Sequence, residues 1–230
     1  MCGRFLLTVN AEMLREAFPQ FRFPATYAPR YNIAPGQPVL VVPNDGTEEG
    51  TFFLWGLIPS WAKDPSIGNR LINARAETLA QKPSFRAAYR YRRCLILADG
   101  FYEWRKLPGK RMKIPYLVRL KSGQPFAFAG LWEEWHAPDG SQVRTCTIIT
   151  TRPNELVARI HNRMPVILSP DAYATWLSTH PQSPPTLRSL LTPYPAEEME
   201  AYAVSRRVND ARNEGPECIE PLTDDGFALG

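Results

Sequence analysis

Apolar residues in this chain fall mostly into short runs bounded by Gly, Pro, Asn or Asp, and only a few segments carry them at helical spacing. Asn10 to Phe18 offers an N-cap residue followed by helical periodicity, so a short helix ended by Pro19 is predicted. Pro24, Pro29, Pro35 and Pro38 make residues 19–38 an irregular segment, since proline removes a backbone donor and fixes φ. Runs 39–43 and 51–57 flank Asn44-Asp45-Gly46 and read as a β-hairpin. Further strands are predicted at 94–98, 115–120, 124–132, 143–150, 166–168, 200–204 and near 218–221. Short helices are expected after 72–78, from Pro83 to Arg90, from Pro153 to Arg159, and from Ser169-Pro170-Asp171 to about residue 178, with 180–185 a surface loop. About nine short strands with helices interspersed irregularly argue for an α+β fold. The expected architecture is one domain over residues 1–230, with bent antiparallel sheets forming a barrel-like core and peripheral short helices.

Composition narrows the function classes. A chain of 230 residues, 44% hydrophobic and 22% charged, fits a soluble globular protein. It lacks the long apolar run of a membrane span and the layout of a signal peptide, so a cytosolic protein without membrane association is expected. Cys2, Cys94, Cys146 and Cys218 are scattered, and only three histidines accompany them, so no metal site is expected. Cys94 and Cys146 sit in apolar runs and read as core thiols. The net charge of +4 permits nucleic-acid binding without demanding it. Arg86, Arg90, Arg92 and Arg93, interleaved with Tyr89 and Tyr91, form the densest basic cluster, readable either as a solvated helix face or as a phosphate contact. Dinucleotide, P-loop, zincin and α/β-hydrolase motifs are absent from the sequence.

Candidate chemistry lies at the N-terminus. A small residue behind Met1 favours removal of the initiator, which would leave Cys2 with a free amine of ordinary pKa about 7.7 to 8.0 beside a thiol of about 8.5. Such a pair condenses with an aldehyde: the amine gives an imine and the thiol closes a thiazolidine ring. Strand alternation through Phe101-Tyr102-Glu103-Trp104 would turn Glu103 inward with Phe101, where desolvation raises a carboxyl pKa toward neutrality. A partner role for one of the arginines is the blander use of that carboxylate. Tryptophans are more often core residues than stacking platforms, although Trp61, among Pro59, Lys63, Asp64 and Pro65, leaves stacking open.

The motifs MCGRF, INARAET, ADGFYEW, IHNRMP and VND, in that order from residue 2 to about 220, resemble the SRAP family, the SOS-response-associated peptidase proteins that crosslink to abasic DNA. The resemblance implies the same barrel-like fold and no cofactor. It implies that Cys2 is the nucleophile, that Asn73 orients its amino-terminal group, that Glu103 shuttles protons, and that His161 assists sugar-ring opening or Schiff-base chemistry. By the same resemblance Arg4, Asn32, Pro35, Trp61, Arg75, Trp104, Thr150 and Arg163 would contact DNA. The partner implied is single-stranded DNA containing abasic sites, including those at single-/double-strand junctions, bound by a monomer. A cytoplasmic location is expected, or a nuclear one in a eukaryote. An N-terminal-nucleophile cysteine peptidase is the alternative activity, and a nucleic-acid-binding module with an incidental N-terminus is the non-enzymatic one.

Overall fold

The computed structural model describes residues 2–107, 109, 112–222 and 229; Met1, whose removal the sequence suggests, lies outside them. Thirteen strands are found among the described residues. In chain order they are β1 (Phe5–Leu7), β2 (Arg30–Ile33), β3 (Pro38–Pro43), β4 (Thr51–Trp55), β5 (Asn73–Arg75), β6 (Arg93–Ala98) and β7 (Gly100–Lys106). They continue as β8 (Lys113–Leu120), β9 (Phe126–His136), β10 (Gln142–Thr151), β11 (Met164–Pro165), β12 (Ile167–Leu168) and β13 (Met199–Ala203). The helices are short: α1 (Ala11–Ala17), α2 (Arg86–Tyr91), α3 (Glu155–Ala158), α4 (Tyr173–Trp176) and α5 (Pro184–Ser189).

Five strands close on themselves. β4 pairs with β3, β3 with β6, β6 with β9, β9 with β10, and β10 returns to β4, so the ring leaves no free edge between them. The expected α+β barrel is therefore present, with one amendment. The last closure is parallel, Thr145 opposite Leu54 and Cys146 opposite Trp55, and β5 also joins β10 in parallel. Alternation of side chains sets the faces of a strand but not the direction of its neighbour. A second, antiparallel sheet runs β13-β8-β7-β1-β2. Its inner face meets the barrel through Phe5 and Phe101, both packed edge-on against Phe128 of β9. Cys94 and Cys146 lie fully buried in this shared core, as their apolar surroundings suggested.

Several segments differ from the sequence expectation. Within 19–38, residues 30–33 form β2, an edge strand whose flanking Pro29 and Pro35 fall outside the ladder. Residues 73–75 are a strand followed by a single 3-10 turn, and not a helix entry. α5 starts inside the proline-rich stretch, with Ser183 as N-cap and Pro184 in the first turn, a position that tolerates proline because its missing N–H would be unpaired there anyway. Near 218–221 there is a 3-10 turn and an isolated bridge from Val204 to Pro221 in place of a strand. The basic cluster divides. Arg92 pairs with Glu133 at 2.7 Å, and Arg93 is buried, donating to the carbonyls of Trp176 (2.8 Å), Tyr89 (3.2 Å), Arg90 (2.7 Å) and Ser178 (2.8 Å). Arg93 is thus a structural tie between α2, β6 and the end of α4. Because Arg93→Ala strands those acceptors, it should cost on the order of 3 kcal/mol and lower the melting temperature by roughly 6–12 °C. A thermal melt showing almost no change would refute that role.

Candidate active site

β10 organises the site. At its C-terminal end Thr150 lies opposite Arg75 of β5 on one edge and Pro165 of β11 on the other, so residues 73–75 and 161–165 converge there. The chain start arrives from the second sheet. Phe5 pairs with Phe101 and the Tyr102 N–H donates to the Arg4 carbonyl (2.9 Å), a register that, continued toward the N-terminus, sets Gly3 opposite Glu103. Glu103 then points inward with Phe101, and is only 2% exposed, as strand alternation predicts.

Cys2 is fully buried, and its S–H points to the Arg4 carbonyl oxygen, 3.7 Å away. Burial, and then the nearby Glu103 charge, push the Cys2 thiol well above its ordinary value, so it is protonated at neutral pH. Asn73 Nδ2 donates to the Cys2 carbonyl at 2.8 Å. The other amide atom, Oδ1, is buried and makes no hydrogen bond among the described residues. An unpaired buried acceptor costs stability, and this one belongs to the side chain that grips the first peptide group of β1's approach.

Glu103 Oε2 lies 3.9 Å from His161 Nε2. The Arg163 N–H donates to His161 Nδ1 at 3.1 Å, so in the neutral ring the proton sits on Nε2, the nitrogen that faces Glu103. Desolvation raises Glu103 to about 7, opposed by the charge of Lys113, while burial lowers His161. The shifts run in opposite directions, so Glu103 keeps its proton to near neutrality beside an imidazole that burial holds neutral, a pairing suited to proton exchange.

This shift carries a sign for stability. In the unfolded chain Glu103 ionises near 4.5, whereas the folded protein holds its proton to about 7. Between those values the folded state binds the extra proton, so this group's contribution falls as pH rises through the window, and the loss is complete above the folded value. Glu103→Gln removes the penalty. The variant should gain stability over the parent progressively from pH 4.5 to 8, up to about 3 kcal/mol, in chemical denaturation at each pH. A difference independent of pH would mean that the carboxyl is not held protonated by burial.

The remaining residues form two groups. Arg163 donates from both guanidinium nitrogens to Glu77 (2.7 and 3.0 Å) and also to the Thr150 carbonyl (2.6 Å), which ties the His161 turn to β10. Thr150 is buried and Arg75 is exposed. The second group is Arg4, Asn32 and Trp104. Arg4 donates to Asn32 Oδ1 (2.8 Å) and the Val208 carbonyl (2.6 Å), and its guanidinium lies 6.0 Å from the Trp104 ring. Asn32 is fully buried, its amide donating to carbonyls of Asp210 and Asn213. Trp104 Nε1 donates to Asn209 Oδ1 at 2.7 Å. As they stand, Arg4 and Asn32 bind protein, which makes Asn32 a poor position for a DNA contact. Pro35 is half-buried in a tight turn with Gly36, whose φ of +81° suits glycine, and Trp61 is 59% exposed. The sequence reading missed the strap 206–214, where Val208, Asn209 and Asp210 each supply an acceptor to the N-terminal group. The VND tripeptide was the available signal.

The sequence matches the family described as SOS response associated peptidase (SRAP) over residues 1–211. This chain belongs to the SRAP family. The SRAP chain is 52% identical over 223 residues to the abasic site processing protein YoqW of Bacillus subtilis (strain 168), covering 96% of this chain and 99% of that one. It is 33% identical to the abasic site processing protein HMCES of Rattus norvegicus, across 96% of this chain and 76% of its relative. A crystal structure of a protein from Bacteroides thetaiotaomicron superposes with a TM-score of 0.83 at 27% identity, covering 95% of this chain and 99% of that one. Another, from Bordetella bronchiseptica, gives 0.76 at 28% identity, covering 89% of this chain and 100% of that one.

Proposed function

We propose that this SRAP protein processes abasic sites in DNA by capturing the ring-opened deoxyribose aldehyde on Cys2 after Met1 has been removed. The observation that carries this reading is Asn73, which holds the Cys2 carbonyl with Nδ2 while its buried Oδ1 has no partner among the described residues. A free Cys2 amine is the donor that this acceptor would take. The names of the relatives support the substrate class.

The reaction balances without a cofactor. The amine nitrogen adds to the aldehyde carbon, and water leaves to give the imine, a step assisted by an acid. The thiol sulfur then adds to the imine carbon; its proton goes to a base and the imine nitrogen gains one. Aldehyde and cysteine thus become a thiazolidine plus one water. Because burial keeps the thiol protonated, ring closure needs a base at hand, and Glu103, raised to about 7, suits both halves of the sequence. His161 Nε2 would exchange that proton and help open the sugar. Arg75 at the exposed rim, and Arg163 if a phosphate displaces Glu77, would hold the strand. Single-stranded substrate is proposed because an extruded sugar reaches a buried nucleophile more readily when no pairing opposes it.

The test is a denaturing gel with labelled single-stranded DNA carrying one abasic site. A heat-stable shifted band is expected without borohydride, absent with undamaged DNA. If the abasic strand never shifts while a peptide substrate is cleaved, the N-terminal-nucleophile peptidase is the better account.

A further inference from the structure

Away from Cys2, a cleft of roughly 550 Å³ opens between α2 and the segment that leads into α5. Its lining is chiefly apolar: Ala80 and Ala87 on one side, with Pro181, Pro184 and Leu187 on the other. Arg86 and Arg90 stand on its α2 side, and Arg188, one turn along α5, borders an adjoining depression with Pro184 and Pro185. All three arginines are exposed, and none makes an ion pair among the described residues, whereas Arg22, Arg30, Arg92, Arg119, Arg144, Arg163 and Arg212 each have a carboxylate. None of the residues that line the cleft belongs to the site around Cys2.

We infer that this cleft is a docking site for an acidic segment of a partner protein that carries apolar side chains. Charge complementarity selects the acidic character, because two guanidiniums on the cleft, Arg86 and Arg90, and a third, Arg188, on the adjoining depression have no carboxylate partner among the described residues and favour carboxylates, which they bind in bidentate fashion. The cleft's size and lining select the apolar anchors, since a pit of this volume takes one or two large side chains between prolines and leucine. Its aromatic groups argue against a nucleic-acid strand as occupant. A strand stacks its bases on several ring faces, but Tyr89 is turned into the core beside Trp176, and the exposed Tyr91 ring already carries the Arg90 guanidinium at 5.2 Å, so the cleft offers no stacking platform of more than one ring. The inference is independent of the chemistry proposed for Cys2.

A short fluorescein-labelled peptide of aspartates interspersed with leucine and phenylalanine is the probe, read by anisotropy against the full chain. Binding is expected, weakened at least about tenfold by the double variant Arg86→Glu/Arg90→Glu and by Ala87→Trp, which fills the cleft without changing charge. Both sites are exposed, and unchanged circular dichroism and melting curves would show that the variants fold. Replacing the leucines and phenylalanines of the probe with serine should also abolish binding. The inference is overturned if the probe does not bind, or if it binds equally to both variants. It is also overturned if undamaged oligothymidylate displaces the probe and loses affinity in the same variants, which would make the cleft a nucleic-acid contact.

Discussion

If Cys2 captures the abasic aldehyde as proposed, Cys2→Ser is expected to replace the crosslink with cleavage of the DNA strand. Serine keeps the α-amine, so imine formation at the abasic aldehyde continues, but the hydroxyl is a far poorer nucleophile than sulfur. An imine acidifies the neighbouring carbon and invites β-elimination, which breaks the strand. On the proposed chemistry the thiol of the parent closes the ring and so removes that electron sink. With serine, heat-stable adduct should fall by a factor of about a hundred or more, while strand cleavage and borohydride-trapped imine rise. The measurement is one labelled abasic oligonucleotide on a denaturing gel, with and without borohydride. Equal borohydride-independent adduct from serine and cysteine proteins would show that sulfur closes no ring.

The second large effect is expected at Glu103. Both the loss of water from the carbinolamine and the deprotonation of the buried Cys2 thiol need a proton carrier near neutrality, and the carboxyl raised to about 7 fits both steps. Glu103→Gln retains shape and hydrogen bonding but cannot titrate. Adduct formation should slow by about 10²- to 10⁴-fold, with strand cleavage by the Cys2→Ser protein slowed as well, while salt-sensitive binding to undamaged single strands is unchanged. His161→Ala is expected to slow the reaction less, because the β1–β7 register sets Glu103 directly opposite the chain start, whereas His161 enters from the turn before β11. Loss of DNA binding in parallel with rate would assign Glu103 to substrate contact instead of proton transfer.

Which features were legible in the sequence follows from the range of the interactions that make them. The hairpin at Asn44-Asp45-Gly46, the cap at Asn10 and the inward turn of Glu103 are decided within a few residues, and each is where local pattern places it. β2 is different. It persists between prolines because the backbone N–H groups of Tyr31 and Asn32 donate to Glu214, far along the chain. Arg93 reads like its neighbours in sequence, yet it is buried because the end of α4 brings the Trp176 and Ser178 carbonyls to it. The parallel β4–β10 closure is likewise invisible to periodicity. At the site, the family resemblance named Cys2, Asn73, Glu103 and His161. Physical reading of the residues reached only Cys2 and, as a possibility, Glu103. Asn73 and His161 carry no local mark, since they flank opposite edges of β10 while their partners, the Cys2 carbonyl and Glu103, arrive from the second sheet.

The central claim is that amine and thiol of the same residue join the DNA sugar, and peptide mass spectrometry of the nuclease-trimmed adduct tests it most directly. The account predicts a peptide beginning at Cys2, lacking Met1, carrying the sugar with loss of one water and no free thiol. A sugar attached elsewhere, or a crosslinked peptide that still begins with Met1, would contradict it.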